Sequence, residues 1–192
     1  MRGPGLSHRL LATFNEGVTR SMAGDHQAAL QSFDKVLAED PKHSPALSAK
    51  GFSLARLGRA QEALPCFERA IELDPSSPDN YRNAALCQLE LDEPESASTL
   101  LERAFQLNPE THYREAAAVE VFHLGQGLLS RGGRRPDKAR YRHARHAFEL
   151  AIQYHPSFID AARALADVWS HLGDAEKSQH YLLLAARLRP VG

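Results

Sequence analysis

The chain has 192 residues, 43% hydrophobic and 24% charged, with a formal net charge of −1. That balance is enough for a buried core and excludes a protein drawn as a whole to nucleic acid or to an anionic membrane, although charge can still be concentrated locally. No window approaches the roughly 18 unbroken apolar residues of a spanning helix, and the opening "MRGPGLSHRLLATFNEG" lacks the apolar run of a signal peptide, so a cytoplasmic protein without membrane insertion is expected. Cys66 and Cys87 are too few for a disulfide framework and are not spaced as a zinc motif; two small buried residues are expected.

In chain order, residues 1–6 read as a disordered tail. Helical patterns follow, broken by "AGD", "LGR", "LDEP" and "LGD", whose Gly, Asp and Pro stop one helix and start the next. The segments "FDKVLAEDP", "FERAIELDP", "LERAFQLNP" and "FELAIQYHP" end on Pro41, Pro75, Pro109 and Pro156. Successive steps are 34, 34 and 47 residues, and Pro190 follows Pro156 by 34 again. The long step carries 13 extra residues. It predicts a helix lengthened at its start, near Thr111 to Arg131, and an enlarged loop "RGGRRPDK" before the next helix.

Each copy holds a small residue early in its first helix: Gly17, Gly51, Ala85, Gly125 and Ala166. Each also holds Ala-x3-Phe or a relative in its second: Ala29 and Phe33, Ala63 and Phe67, Ala97 and Leu101, Ala144 and Phe148, and finally Ser178 and Leu182. With the period of 34 and the closing proline, this resembles the tetratricopeptide repeat, a helix–turn–helix unit. The resemblance implies an all-α, right-handed superhelical solenoid of antiparallel hairpins, a single domain over residues 7–190. Its repeats would lie at about 10–43, 44–77, 78–111, 118–158 with insertions, and 159–192. It also implies a scaffold, adaptor or co-chaperone-like module that binds proteins or peptides without enzymatic chemistry; the fold alone does not name the partner.

In this family a concave wall is drawn mainly from the second, fifth, ninth and twelfth positions of each repeat. Mapped here, the wall would use Phe14 and Val18, Phe52, Arg82, Leu86 and Leu89, and Phe122, Gln126 and Leu129, with Ser21 and Ser48 beside them. A branch of the family grips a chaperone's C-terminal carboxylate with Lys, Arg and Asn at set positions. Only Arg82 and Asn83 suit that role here, so an apolar or amphipathic segment is the expected occupant. The competing reading is that Phe14, Phe52 and Phe122 pack between helices.

Two further surfaces stand out. Arg131, Arg134, Arg135, Lys138, Arg140, Arg142 and Arg145 face Asp137 alone within residues 131–146, so the rest of the chain is net acidic. A solvated helix face, an acidic protein partner and nucleic acid are the three readings, nucleic acid the least favoured because no recognised module accompanies the run. The last repeat has "LLL" where earlier ones have "FDK", "FER", "LER" and "FEL". Leu182 would point inward as its counterparts do. Leu183 and Leu184, with Ala186, would form an apolar surface for a homodimer or another partner, or else tuck against Trp169 and Leu172; Pro190 and Gly192 leave no segment for a covering helix.

No cofactor is expected. His143, His146 and Glu149 share a helical face, but the surrounding arginines oppose a divalent cation, so no metal site is assigned. The chain has no Gly-rich phosphate loop, G-x-S-x-G or H-E-x-x-H, and no catalytic residues are assigned.

Overall fold

The computed structural model describes residues 4–131 and 136–188, with side chains from His8 onward. The described residues form ten α-helices and no strand: α1 Pro4–Met22, α2 His26–Glu39, α3 Ser44–Arg56, α4 Ala60–Leu73, α5 Pro78–Glu90, α6 Pro94–Leu107, α7 Thr111–Ser130, α8 Lys138–Tyr154, α9 Ile159–Leu172 and α10 Ala175–Arg187. The fold is an all-α helical-repeat solenoid, with α1 packed on α2, α3 on α4, α7 on α8 and α9 on α10.

Local chemistry sets the ends of these helices. Asp25, Asp137 and Asp174 cap α2, α8 and α10, each carboxylate accepting from a backbone N–H three residues on at 3.0, 2.9 and 3.0 Å. That bond, the larger cause, together with Lys177, holds the Asp174 carboxyl below its usual range. Gly173 ends α9 with φ 91°, in the left-handed region that costs glycine least. The matching turn after α5 uses Asp92 at φ 65°, a conformation that Asp tolerates better than most side chains.

The chain divides into two compact units, where the repeat count leads one to expect a single domain. One comprises residues 1–91 and 99–107, the other residues 92–98 and 108–192. In a repeat array each copy contacts its neighbours alone, so cohesion is local. The turn at residues 92–98 goes with the second unit for specific reasons. Asp92 Oδ1 lies 3.5 Å from His146 Nδ1 and 3.9 Å from His143 Nε2, and the Ser98 and Tyr154 hydroxyls are 3.1 Å apart.

The core of the first unit joins Leu30, Leu54, Ala63, Phe67, Ala84 and Cys87. Burial pushes the Cys87 thiol up to about 12. Cys66 is only half-buried, a departure from the expectation that both cysteines are enclosed.

A size rule within each hairpin explains the small early residue. A Cβ on Gly17 would lie 2.6 Å from the Phe33 ring, on Gly51 2.9 Å from Phe67, and on Gly125 2.6 Å from Phe148. All three phenylalanines are fully buried. Where the chain has alanine in that place, at Ala85, the partner position holds the smaller Leu101, both fully buried. Glycine goes with phenylalanine and alanine with leucine, so the total volume across the hairpin is held nearly constant.

Two expectations are corrected, and a third lies partly outside the described residues. The tail is shorter than residues 1–6, because α1 begins at Pro4, a residue well suited to a helix's first turn; residues 1–3 lie outside the described residues. Leu182 does not point into a core as Phe33, Phe67, Leu101 and Phe148 do: it is 54% exposed, since no described helix follows α10 to cover it. Residues 132–135 of the "RGGRRPDK" loop, including Arg134 and Arg135, lie outside the described residues, while α7 runs the 20 residues to Ser130 that the extra sequence requires.

Pro65 stands exposed inside α4. It can donate no hydrogen bond to the preceding turn. Pro65→Ala should therefore stabilise the fold by about 1–2 kcal/mol, raising the melting temperature by about 2–8 °C in calorimetry.

Candidate functional site

One concavity of the first unit is an open groove of about 440 Å³ on the first helices of its three hairpins. Val18 and Met22 of α1 form one bank, with Phe33 of α2 beneath them. Pro45, Ser48, Ala49 and Phe52 of α3 form the middle, and Asp79, Asn80 and Asn83 of α5 the far bank. This follows from helical geometry: Pro45, Ser48, Ala49 and Phe52 are spaced three and four apart and share one face of α3.

The groove combines two chemistries. Val18, Met22, Phe33, Pro45, Ala49 and Phe52 are apolar. Among and beside them, Ser48, Ser77 and Asn83 offer hydroxyl and amide groups that can pair with a peptide backbone, while Asn80 is buried. Its one carboxylate, Asp79, lies 3.0 Å from Arg82 Nη1. The groove is thus close to neutral and suits an uncharged, partly apolar segment.

Phe52 is 44% exposed, touched at its edge by the His26 ring at 6.1 Å. An aromatic left this open has nearly half of its area still to bury. Met22 is exposed further, at 85%, and its flexible thioether adapts to irregular partners. The sequence mapping missed Met22 because it stands one residue beyond the twelfth position used for the wall.

Several expected wall residues lie elsewhere. Phe122 is buried, its ring 4.8 Å from Phe158 and 5.5 Å from Phe148. Leu89 is buried as well, so both serve the core rather than an open wall. Phe14 is half-buried against Phe33 at 6.0 Å and His43 at 5.2 Å. His43 also caps α3, its Nδ1 accepting from the Ala46 N–H at 3.1 Å. Phe14 and Phe122 hold the fifth position of their repeats, and in each case an aromatic ring from the turn before the next repeat closes over them. Arg82, Leu86 and Leu129 are half-buried and Gln126 is exposed, paired with His123 at 3.1 Å. Val18, Phe52 and their neighbours are the part of the mapped wall that the first unit gathers into one groove.

The profile of the tetratricopeptide repeat matches residues 54–119. The fold is similar to solved structures of MamA, at 21% identity and TM-score 0.63 over 93% of this chain and 91% of that one. It is also similar to YrrB, described as a TPR protein with an unusual peptide-binding site, at 22% identity and TM-score 0.59 over 93% of this chain and 86% of that one. No curated protein sequence matches the chain. Residues 54–119 thus carry tetratricopeptide repeats.

A tetratricopeptide-repeat fold is a scaffold for protein–protein interaction, and its partners are proteins or peptides. No described helix is long and apolar enough to cross a membrane. In the fourth repeat, Lys138, Arg142 and Arg145 meet the last hairpin around a second concavity, while Arg140 donates to the Arg131 carbonyl. His143 and His146 are half-buried beside Asp92. Among the described residues no group of three or more His, Cys, Asp or Glu is placed to hold a metal ion. In the last repeat, Leu183 is 52% exposed. Ala186 is also exposed, and Leu184 is half-buried.

Proposed function

We propose that the protein is an adaptor whose first unit binds an apolar or amphipathic peptide segment of a partner in the groove around Phe52. The observation that carries this reading is the exposed Phe52 ring in a neutral groove, with hydroxyl and amide groups among and beside its apolar ones. YrrB, to which the fold is similar, is described as having a peptide-binding site. The mechanism is shape and apolar complementarity, with Phe52 and Met22 as anchors and Asn83 positioning the backbone. The free Cys66 and Cys87 suit a reducing compartment and hence the cytoplasm. The test is to select 15-residue peptides on the full chain from a random library and to measure their affinity by fluorescence anisotropy for native and Phe52→Glu protein. Selected sequences should be apolar at spaced positions, and the variant should lose them. Recovery of charged peptides that bind both proteins equally would reject the reading.

The exposed leucines of α10 favour a second surface, which we assign to self-association. Leu182 and Leu183 are adjacent and each about half exposed, and burying what remains of both would contribute about 1.5–3 kcal/mol. Light scattering over a dilution series should find a dimer for the native chain and a folded monomer for Leu182→Glu/Leu183→Glu. A native monomer at every concentration would end the proposal.

A further inference from the structure

We propose that the second concavity, between α8 and the α9–α10 turn, is a docking site for an acidic peptide segment of a partner protein, separate from the groove around Phe52. The cavity measures about 560 Å³. Lys138, Arg142 and Arg145 line it from α8, spaced four and three residues apart so that they share one helical face. Trp169 of α9 forms its base, with the α9–α10 turn as the opposite rim.

The charges in the cavity are unequal in how far they are already satisfied. Arg145 lies 3.5 Å from Glu149. Lys177 lies 3.4 Å from Asp174, whose other oxygen caps α10. Among the described residues Lys138 and Arg142 have no carboxylate partner, and both are exposed. The remaining lining carboxylate, Glu176, is exposed at the rim. Two cations therefore face the cavity unpaired, within a segment where Asp137 is the lone acid and is already used as the α8 cap. Two carboxylates from a partner would complete these pairs, and the forked guanidinium of Arg142 can take one of them bidentately.

Trp169 adds a built base to the site. It is 8% exposed, and its indole Nε1 has no hydrogen-bond partner. Lys177 Nζ stands 4.0 Å from the ring centroid and the Arg145 guanidinium 5.1 Å. These contacts hold two more positive charges at the cavity by cation–π attraction.

The same geometry argues for a protein partner over nucleic acid. Single-stranded nucleic acid needs open aromatic faces on which bases stack. Here the Trp169 ring is already covered by Lys177 and Arg145, and Tyr141 is stacked on His171 at 4.4 Å and 15°. The site offers cations in a small cavity without a free stacking platform.

Trp169 is the chain's one tryptophan, so its emission reports directly on the site. The full chain is titrated with a 12-residue peptide of alternating Glu and Ser, and with its Gln and Ser counterpart, at 50 and 200 mM salt. The acidic peptide should perturb the emission with a saturable, salt-sensitive profile, and the Gln peptide should not. Lys138→Glu/Arg142→Glu, its fold checked by circular dichroism, should weaken the acidic peptide at least about 10-fold. Lys35→Glu/Arg56→Glu, an equal change of charge on exposed sites of the first unit, should leave it within about twofold. Absence of binding at 50 mM salt would overturn the proposal. So would an equal loss in the two variants, or tighter binding of a poly-uridine oligonucleotide that Lys138→Glu/Arg142→Glu abolishes.

Discussion

Gly125→Ala lowers the stability of the chain, and Phe148→Leu added to it returns much of the loss. The added methyl would stand 2.6 Å from a ring carbon of Phe148, a side chain with no exposed surface and nowhere to move. Alanine is the better helix former by about 1 kcal/mol, but overpacking a filled core costs about 1–3 kcal/mol. At this distance the steric term wins, for a net loss of up to about 2 kcal/mol. Phe148→Leu alone leaves a void and costs a similar amount. Together the two changes reproduce the pairing that the chain itself uses at Ala85 and Leu101, both fully buried. Equilibrium urea unfolding of the four proteins should give a coupling of about 1 kcal/mol or more in favour of the double variant. Additive losses would show that the glycine–phenylalanine pairing is not a volume rule.

Phe52→Glu abolishes most peptide affinity without unfolding the protein. The side chain is 44% exposed, so the variant removes little core, yet it places a charge where a partner's apolar group would be desolvated. Loss of a central aromatic anchor typically costs 2 kcal/mol or more, so affinity should fall about 30-fold or beyond. Leu57→Glu is the matched control. Leu57 is 40% exposed and does not line the groove, so its affinity should stay within about twofold of native.

The repeats were legible because the fold is written in short-range chemistry. Turn glycines, the proline at each step and the glycine–phenylalanine pair recur at a fixed distance outside the lengthened fourth repeat, and each acts within its own hairpin. The site was legible in part for the same reason: Val18, Ser21, Ser48 and Phe52 hold stripe positions and line the groove. Burial was not legible where it depends on a residue from the next turn. Nothing about Phe122 itself shows that Phe158 closes over it. Leu182 shows the converse, since its repeat position implies a core whereas its exposure depends on whether a further helix covers it. The partition into two units was hidden too, because it turns on Asp92 meeting His143 and His146 more than 50 residues away.

The central claim, that the first unit takes a peptide through the groove around Phe52, is tested most directly by photo-crosslinking. A benzoylphenylalanine replaces Phe52 in one protein and Leu57 in another, two sites of nearly equal exposure, and each is irradiated with a library-selected peptide. The account predicts a specific crosslink from position 52, suppressed by unlabelled peptide, and none from position 57. Crosslinking from position 57 alone, or from neither position while the peptide is bound, would contradict it.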